Sequence, residues 1–413
     1  MPLMSRCWCF ALLLFALSVD AIRTRSHLRA KHSIAPSFLI MSSPTERKVS
    51  YGMVVGHQAA NKIIKPLVDA GLVGPFGIAL DVERVWLYVA DPVQHKIFHY
   101  KLKVEEHIDT DTDTSNFTLA VDGYPTCVAQ DISATWITVD QQGNLYFSVE
   151  DTPPSIDKLS LNVIEQLVSG SIAASSLLVR TDRETDADAA LDGQLASGNG
   201  ADYSTPEPII TRLYEEAGED SQEGKCPVHL STPGGLVTNG KDIWWTNQKN
   251  GYTDGSVVHG KATVQPSATS GVEASSHCTH VLANQTAVAY GLVVTNNLLI
   301  YTSGKIVYAT SRTNGITKML SSEVFNTRGL AWDGANTLFV ADREGNCILS
   351  LPCGQLREHA PLDVIFDFHD PFGVALLTGH QASKVTQTIV SGDGATVVSG
   401  IKQSFQSIED LFR

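Results

Sequence analysis

Thr327-Arg-Gly-Leu-Ala-Trp-Asp333, a turn, Leu338-Phe-Val-Ala-Asp342, a second turn, then Cys347-Ile-Leu-Ser-Leu351: this stretch decides the fold. It reads as three short strands. Gly329 sits near the start of the first, and Asp333 and Asp342 close the first and second. Apolar residues fill the strands between turns rich in Gly, Asn and Asp, the local pattern of adjacent antiparallel strands. One such unit has unpaired edges and a bare apolar face, so it must be repeated or packed.

It is repeated. The opening heptad recurs as Pro75-Phe-Gly-Ile-Ala-Leu-Asp81, Pro233-Gly-Gly-Leu-Val-Thr-Asn239, Ala289-Tyr-Gly-Leu-Val-Val-Thr295 and Pro371-Phe-Gly-Val-Ala-Leu-Leu377. The second strand recurs as Trp86-Leu-Tyr-Val-Ala-Asp91, Ile243-Trp-Trp-Thr-Asn247 and Leu299-Ile-Tyr-Thr-Ser303. A sixth copy runs Thr135-Trp-Ile-Thr-Val-Asp140, Leu145 to Val149 and Ser155 to Leu161. It puts Trp136 where the others have glycine. A rival register would start it at Pro125, but the first keeps the second and third strands in place. The openings fall at 77, 136, 235, 291, 329 and 373, about one four-stranded blade apart except between 136 and 235.

These units resemble NHL repeats and, in Ile243-Trp-Trp-Thr246 and Ile300-Tyr-Thr-Ser303, YWTD repeats, over residues 51–400. The resemblance implies an all-β fold, a six-bladed β-propeller of four-stranded antiparallel blades. It implies less about activity, because this architecture hosts binding modules, lactonases and lyases alike.

The flanks and one interruption lie outside the repeat. Residues 1–21 carry Arg6, an apolar core of about ten residues and a small-residue site at Val19-Asp-Ala21, the layout of a secretory signal peptide. No stretch is long and apolar enough to span a bilayer. Residues 22–50 are basic and read as a linker, a propeptide or a second targeting segment. Secretion or the secretory lumen is the expected location, with a plastid reached through a bipartite presequence as the alternative. Tyr51–Gly56 reads as a strand that closes the ring against the last blade. Residues 180–224 hold 12 acids against 3 arginines and read as a disordered acidic insertion that explains the long gap. Residues 401–413 read as a short tail helix.

Apolar residues make up 43% of the chain, enough for one large core. The net charge of −14 repels phosphate backbones, which sets nucleic acid aside. Five cysteines follow the signal peptide. Cys226 and Cys278 flank the third blade and are the expected disulfide. Asn116 and Asn284 open glycosylation sequons in predicted loops.

Few residues offer chemistry. Asp109, Asp111 and Asp113 resemble the start of an EF-hand loop, but Thr114 and Ala120 stand where Gly and Glu are needed. His277, Cys278 and His280 lack a second cluster to complete a zinc site. Propeller sites sit at the channel mouth, at the residue before each opening glycine. In the lactonase families of this fold, Asn, Asp and Glu near those places hold a divalent metal. Here they are Phe76, Thr135, Gly234, Tyr290, Arg328 and Phe372. Phenylalanine in NHL repeats also plugs the channel, but Phe76, Tyr290, Arg328 and Phe372 are of the types that anchor interfaces. The expectation is therefore a monomeric binding scaffold without a cofactor, whose partner is an extracellular or lumenal protein or a small anionic ligand. A metal-dependent hydrolase or lyase of the gluconolactonase and paraoxonase group, holding Ca²⁺, is the alternative.

Overall fold

The computed structural model describes residues 36–109, 114–151, 153–172, 210–215, 228–248, 255–263, 279–286, 289–335, 337–352, 360–384, 386–392 and 395–400. Six four-stranded antiparallel blades surround a central channel. From the channel outward, blade 1 is Ile78–Asp81, Trp86–Asp91, Lys96–Asp109 and Thr126–Gln130. Blade 2 is Ala134–Val139, Leu145–Val149, Ser155–Leu159 and Ile210–Glu215. Blade 3 is Pro233–Thr238, Asp242–Asn247, Gly255–Lys261 and His280–Thr286. Blade 4 is Leu292–Val294, Leu298–Ser303, Ile306–Ser311 and Thr317–Ser321. Blade 5 is Thr327–Trp332, Thr337–Asp342, Cys347–Pro352 and Asp363–Asp367. Blade 6 is Val374–Leu377 with Ser37–Ser43, Lys48–Val55 and Gln58–Val68.

The repeated residues explain how the blades close up. A Cβ on Gly235 would stand 1.8 Å from the carbonyl oxygen of Tyr290, and one on Gly291 would stand 2.2 Å from that of Arg328. Both carbonyls belong to the next blade, so glycine lets successive inner strands meet at the axis. A hydroxyl on the second strand then takes up the opening N–H: Gly291 donates to Thr302 Oγ1 (3.0 Å) and Gly373 to Ser42 Oγ (2.7 Å). The acid at the end of that strand holds the segment that enters the blade. Asp91 accepts from the N–H groups of Val73 (2.7 Å) and Gly74 (3.1 Å), and Asp342 from those of Phe325 (2.8 Å) and Asn326 (2.9 Å). Asn247 does the same for Ser231 in blade 3 (3.1 Å). Asp81 and Asp333 instead shape the turn after the inner strand, through Glu83 N–H and Ala335 N–H.

Four regions differ from the sequence reading. Strands begin at Ser37, inside the basic stretch 22–50, and it is Ser37–Ser43 that pairs with Val374–Leu377. Tyr51 to Val55 lie one strand further out, on Lys48–Val55. The four apolar residues Phe38 to Met41, and Ser42 and Ser43 after them, are buried because they form the middle of a blade. Within 180–224, Ile210–Glu215 is the outer strand of blade 2, with Leu213 and Tyr214 in the core. The preferred register of that blade holds: Ala134–Val139 is its inner strand, and the Pro125 rival, as Thr126–Gln130, is the outer strand of blade 1. After Leu377 the chain leaves the blades. A short helix, Gly379–Lys384, leads to a hairpin, Thr386–Gly392 and Ala395–Gly400, whose first strand adds in parallel to the far half of Lys96–Asp109. That far half also pairs with Thr114–Val121.

Asn116 and Asn284 both lie on strands with exposed side chains, where loops were expected. Cys127 and Cys347 are free thiols. Cys226, Cys278, His277, Asp111, Asp113, the tail 401–413 and residues 1–35 lie outside the described residues. Among the described residues, no helix is long and apolar enough to cross a membrane.

Candidate functional site: the channel mouth

The six residues that head the inner strands gather at one end of the channel, and four of the expected site residues meet there with a fifth that was not expected. The Phe372 ring centre is 4.6 Å from that of Phe76 and 4.7 Å from that of Trp136. Trp136 stacks towards Tyr290 at 6.2 Å. The Arg328 guanidinium lies 3.8 Å over the Tyr290 ring and 6.0 Å from that of Phe372. Phe372 and Trp136 are buried, whereas Phe76 and Tyr290 stay partly open to solvent. Together they plug the channel. Behind the plug lies a cavity of about 330 Å³ whose lining includes Ile78, Ile137, Leu236 and Val374 and no charged side chain.

Trp136 is the plug residue that the repeat pattern left unassigned. Its indole occupies the place of an opening glycine, beside a ring position in blade 3 that is Gly234 and has no side chain. An aromatic at the one non-glycine opening was the visible signal.

Arg328 is 8% exposed. Its Nη1 donates to Asn326 Oδ1 (2.5 Å) and to the Thr327 carbonyl (2.9 Å). No carboxylate among the described residues comes within 4.0 Å of it as an ion pair. Burial lowers its pKa, with Tyr290, Asp370 and Asp342 acting against that and Arg343 adding to it. A guanidinium nevertheless remains charged at any physiological pH. The nearby Trp136 Nε1 and Thr327 Oγ1 are also buried, with no hydrogen-bond partner among the described residues. A buried cation satisfied by neutral oxygens and a ring face is suited to an incoming anion.

Around the plug, exposed apolar side chains stand among charged and polar turn residues such as Glu344. Val73 and Val93 on blade 1 and Phe325 on blade 5 are 41%, 57% and 56% exposed. Lys305 of blade 4 lies 5.7 Å over the Phe325 ring.

The ring does not fit a hard divalent cation, which needs six to eight oxygens. Arg328 occupies one ring position, three others are Phe76, Phe372 and Gly234, and the strand-end acids Asp91 and Asp342 already accept from backbone N–H groups. Glu150, bonded to Thr135, is a solvent-exposed carboxylate beside the ring. Among the described residues, no three His, Cys, Asp or Glu side chains stand together as a metal would require.

No family model matches the chain, and no curated protein does. Solved structures do. A chain of the crystal structure of a nidogen/laminin complex is similar over 83% of this chain and 99% of its own length, at 12% identity and a TM-score of 0.52. TolB from Acinetobacter baumannii is similar over 83% of this chain and 67% of its own, at 8% identity and a TM-score of 0.47. The likeness is one of fold: the chain is a six-bladed β-propeller.

Proposed function

We propose that this propeller is a binding scaffold that takes an acidic group of a protein partner at the channel mouth. The observation that carries the reading is Arg328, buried over Tyr290 with no carboxylate counter-ion among the described residues. The exposed Val73, Val93 and Phe325 supply the apolar rim that a protein partner would cover. The chain that shares the fold comes from the crystal structure of a nidogen/laminin complex, which supports a protein partner as the ligand class.

The test is a display screen of extracellular and lumenal protein segments on the full chain, followed by titration of the hits. Arg328→Ala should weaken a mouth-bound acidic segment by about 30-fold, roughly 2 kcal/mol. Hits that bind Arg328→Ala as tightly as the parent would place binding elsewhere. Hydrolysis of lactones and esters that disappears with EDTA, in protein that remains folded, would replace the scaffold reading with the enzyme one.

A further inference from the structure

A second pocket, of about 280 Å³, lies between blades 3 and 4, away from the mouth. Its wall on blade 3 includes Trp244 and His259, the first two of a ladder of rings across three strands. Trp244 stacks on His259 at 5.1 Å, and His259 on His280 at 6.3 Å. The ladder follows from register, since Trp244 pairs with His259 and His259 with His280. Opposite, blade 4 contributes Leu299, Thr310 and Arg312.

Arg312 is fixed in place. Its Nη1 donates to the carbonyls of Thr295 (2.9 Å) and Asn296 (3.2 Å), and its backbone N–H donates to that of Asn297 (2.9 Å). The guanidinium sits 4.7 Å over the Trp244 ring. Unlike Arg328 it stays exposed to solvent; its protein partners are neutral, and it forms no ion pair among the described residues. The one carboxylate in the pocket, Asp242, accepts from Lys261 Nζ at 2.6 Å on Oδ1, and the buried His259 Nε2 stands 3.2 Å from the same oxygen without a hydrogen bond. Arg312, Lys261 and Asp242 leave a local excess of positive charge on a chain of net charge −14. The pocket thus offers a pre-positioned cation, an imidazole, a carboxylate able to accept from hydroxyls, and apolar walls at Leu282 and Leu299.

We propose that this pocket is a second ligand site, for a small organic acid of monosaccharide size that carries hydroxyl groups, a uronate being the model compound. Arg312 takes the carboxylate, Asp242 and His259 take hydroxyls, and the leucines face the ring. Both the donor set and the volume fit such a ligand better than a bare inorganic anion, which would leave Asp242 facing it. The groups that face His259 are Asp242 on the neighbouring strand, Lys261 on its own strand, His280 on the outer strand and Arg312 from blade 4. Burial lowers the His259 pKa, so the free pocket holds a neutral imidazole near neutrality, and a bound carboxylate favours its protonation. Affinity should therefore rise as pH falls towards the lowered pKa of the free imidazole.

The experiment is calorimetric titration of the full chain with glucuronate, with glucose and inorganic phosphate as comparisons. Saturable glucuronate binding is expected, at least ten-fold tighter than either comparison. Arg312→Gln and, separately, His259→Gln should each weaken it at least ten-fold, while Lys65→Gln on the outer strand of blade 6 should not. Circular dichroism of each variant checks that the fold is kept. Absence of glucuronate binding, equal binding of phosphate, or binding unchanged in folded Arg312→Gln would each overturn the proposal.

Discussion

At the scale of single residues, the buried polar groups divide into those the backbone satisfies and those it does not. Asp91 belongs to the first group. It is fully buried, and its carboxylate holds Val73, Gly74 and Gln94. Asp91→Ala strands those donors and should cost about 2–4 kcal/mol, read as a shift in the urea midpoint. His99 belongs to the second group. Both its ring nitrogens are buried without a hydrogen-bond partner among the described residues, between Trp86 and Tyr88. Burial depresses its pKa to about 4, from 6.5, with Asp81 opposing the shift. The native state therefore resists a proton that the unfolded chain accepts. Stability from this group is full above about pH 6.5 and falls as pH drops towards 4, by about 3 kcal/mol in all. Urea denaturation at pH 7.5 and 4.5 measures the fall, and His99→Leu should remove that share of it. At the mouth, Tyr290→Ala removes the ring under Arg328 and should weaken an acidic partner by about 1 kcal/mol or more, with Tm the control for folding.

At the scale of elements, most of the architecture was legible because each blade repeats the same local demands. Glycine stands where inner strands meet in every blade but the second, and an acid or amide ends the second strand in blades 1, 3 and 5. Gly235→Ala tests the first demand directly. Its Cβ would lie 1.8 Å from a backbone oxygen that belongs to the next blade, so the blades must part. A loss of about 3 kcal/mol or more is expected by chemical denaturation. Substitution at Gly71, with nothing within 4 Å but a φ of +83°, should cost less. What was not legible was non-local. Ser37–Ser43 is a short apolar strand within a basic stretch, and only its pairing with Val374–Leu377 gives it a place. Ile210–Glu215 is likewise a short strand within an acidic stretch, and only its ladder with Ser155–Leu159 shows it. The site divides in the same way. The ring residues were legible from their place in the repeat. The packing of Trp136 on Phe372 depends on side chains from blades far apart in sequence, and that of Arg328 on Tyr290 on how two neighbouring blades meet.

At the scale of the whole molecule, the ring is joined at blade 6 by hydrogen bonds between distant parts of the chain. Ser42 and Gly373 are bonded across 331 positions, and Asp370 holds both Thr45 and Arg343. Phe38, Leu39, Ile40 and Met41 are fully buried on the strand that makes the join. Four such side chains are worth about 6–12 kcal/mol, comparable with the about 5–15 kcal/mol of a whole folded domain. A chain beginning at Val49 should therefore lose its cooperative melting transition, whereas one beginning at Pro36 should keep the parent Tm. Scanning calorimetry of the two truncations separates these outcomes.

Blade 6 also imposes an order on synthesis. Its three outer strands leave the ribosome first, and the inner strand they need follows some 331 positions later. At about 5–20 residues per second that is a wait of roughly 15–65 seconds. Throughout it, Ser37–Ser43 presents an apolar strand edge with no partner while blades 1 to 5 form behind it. The nascent protein is thus most open to mispairing at its oldest segment, and its need for chaperones should end only when translation has passed Leu377.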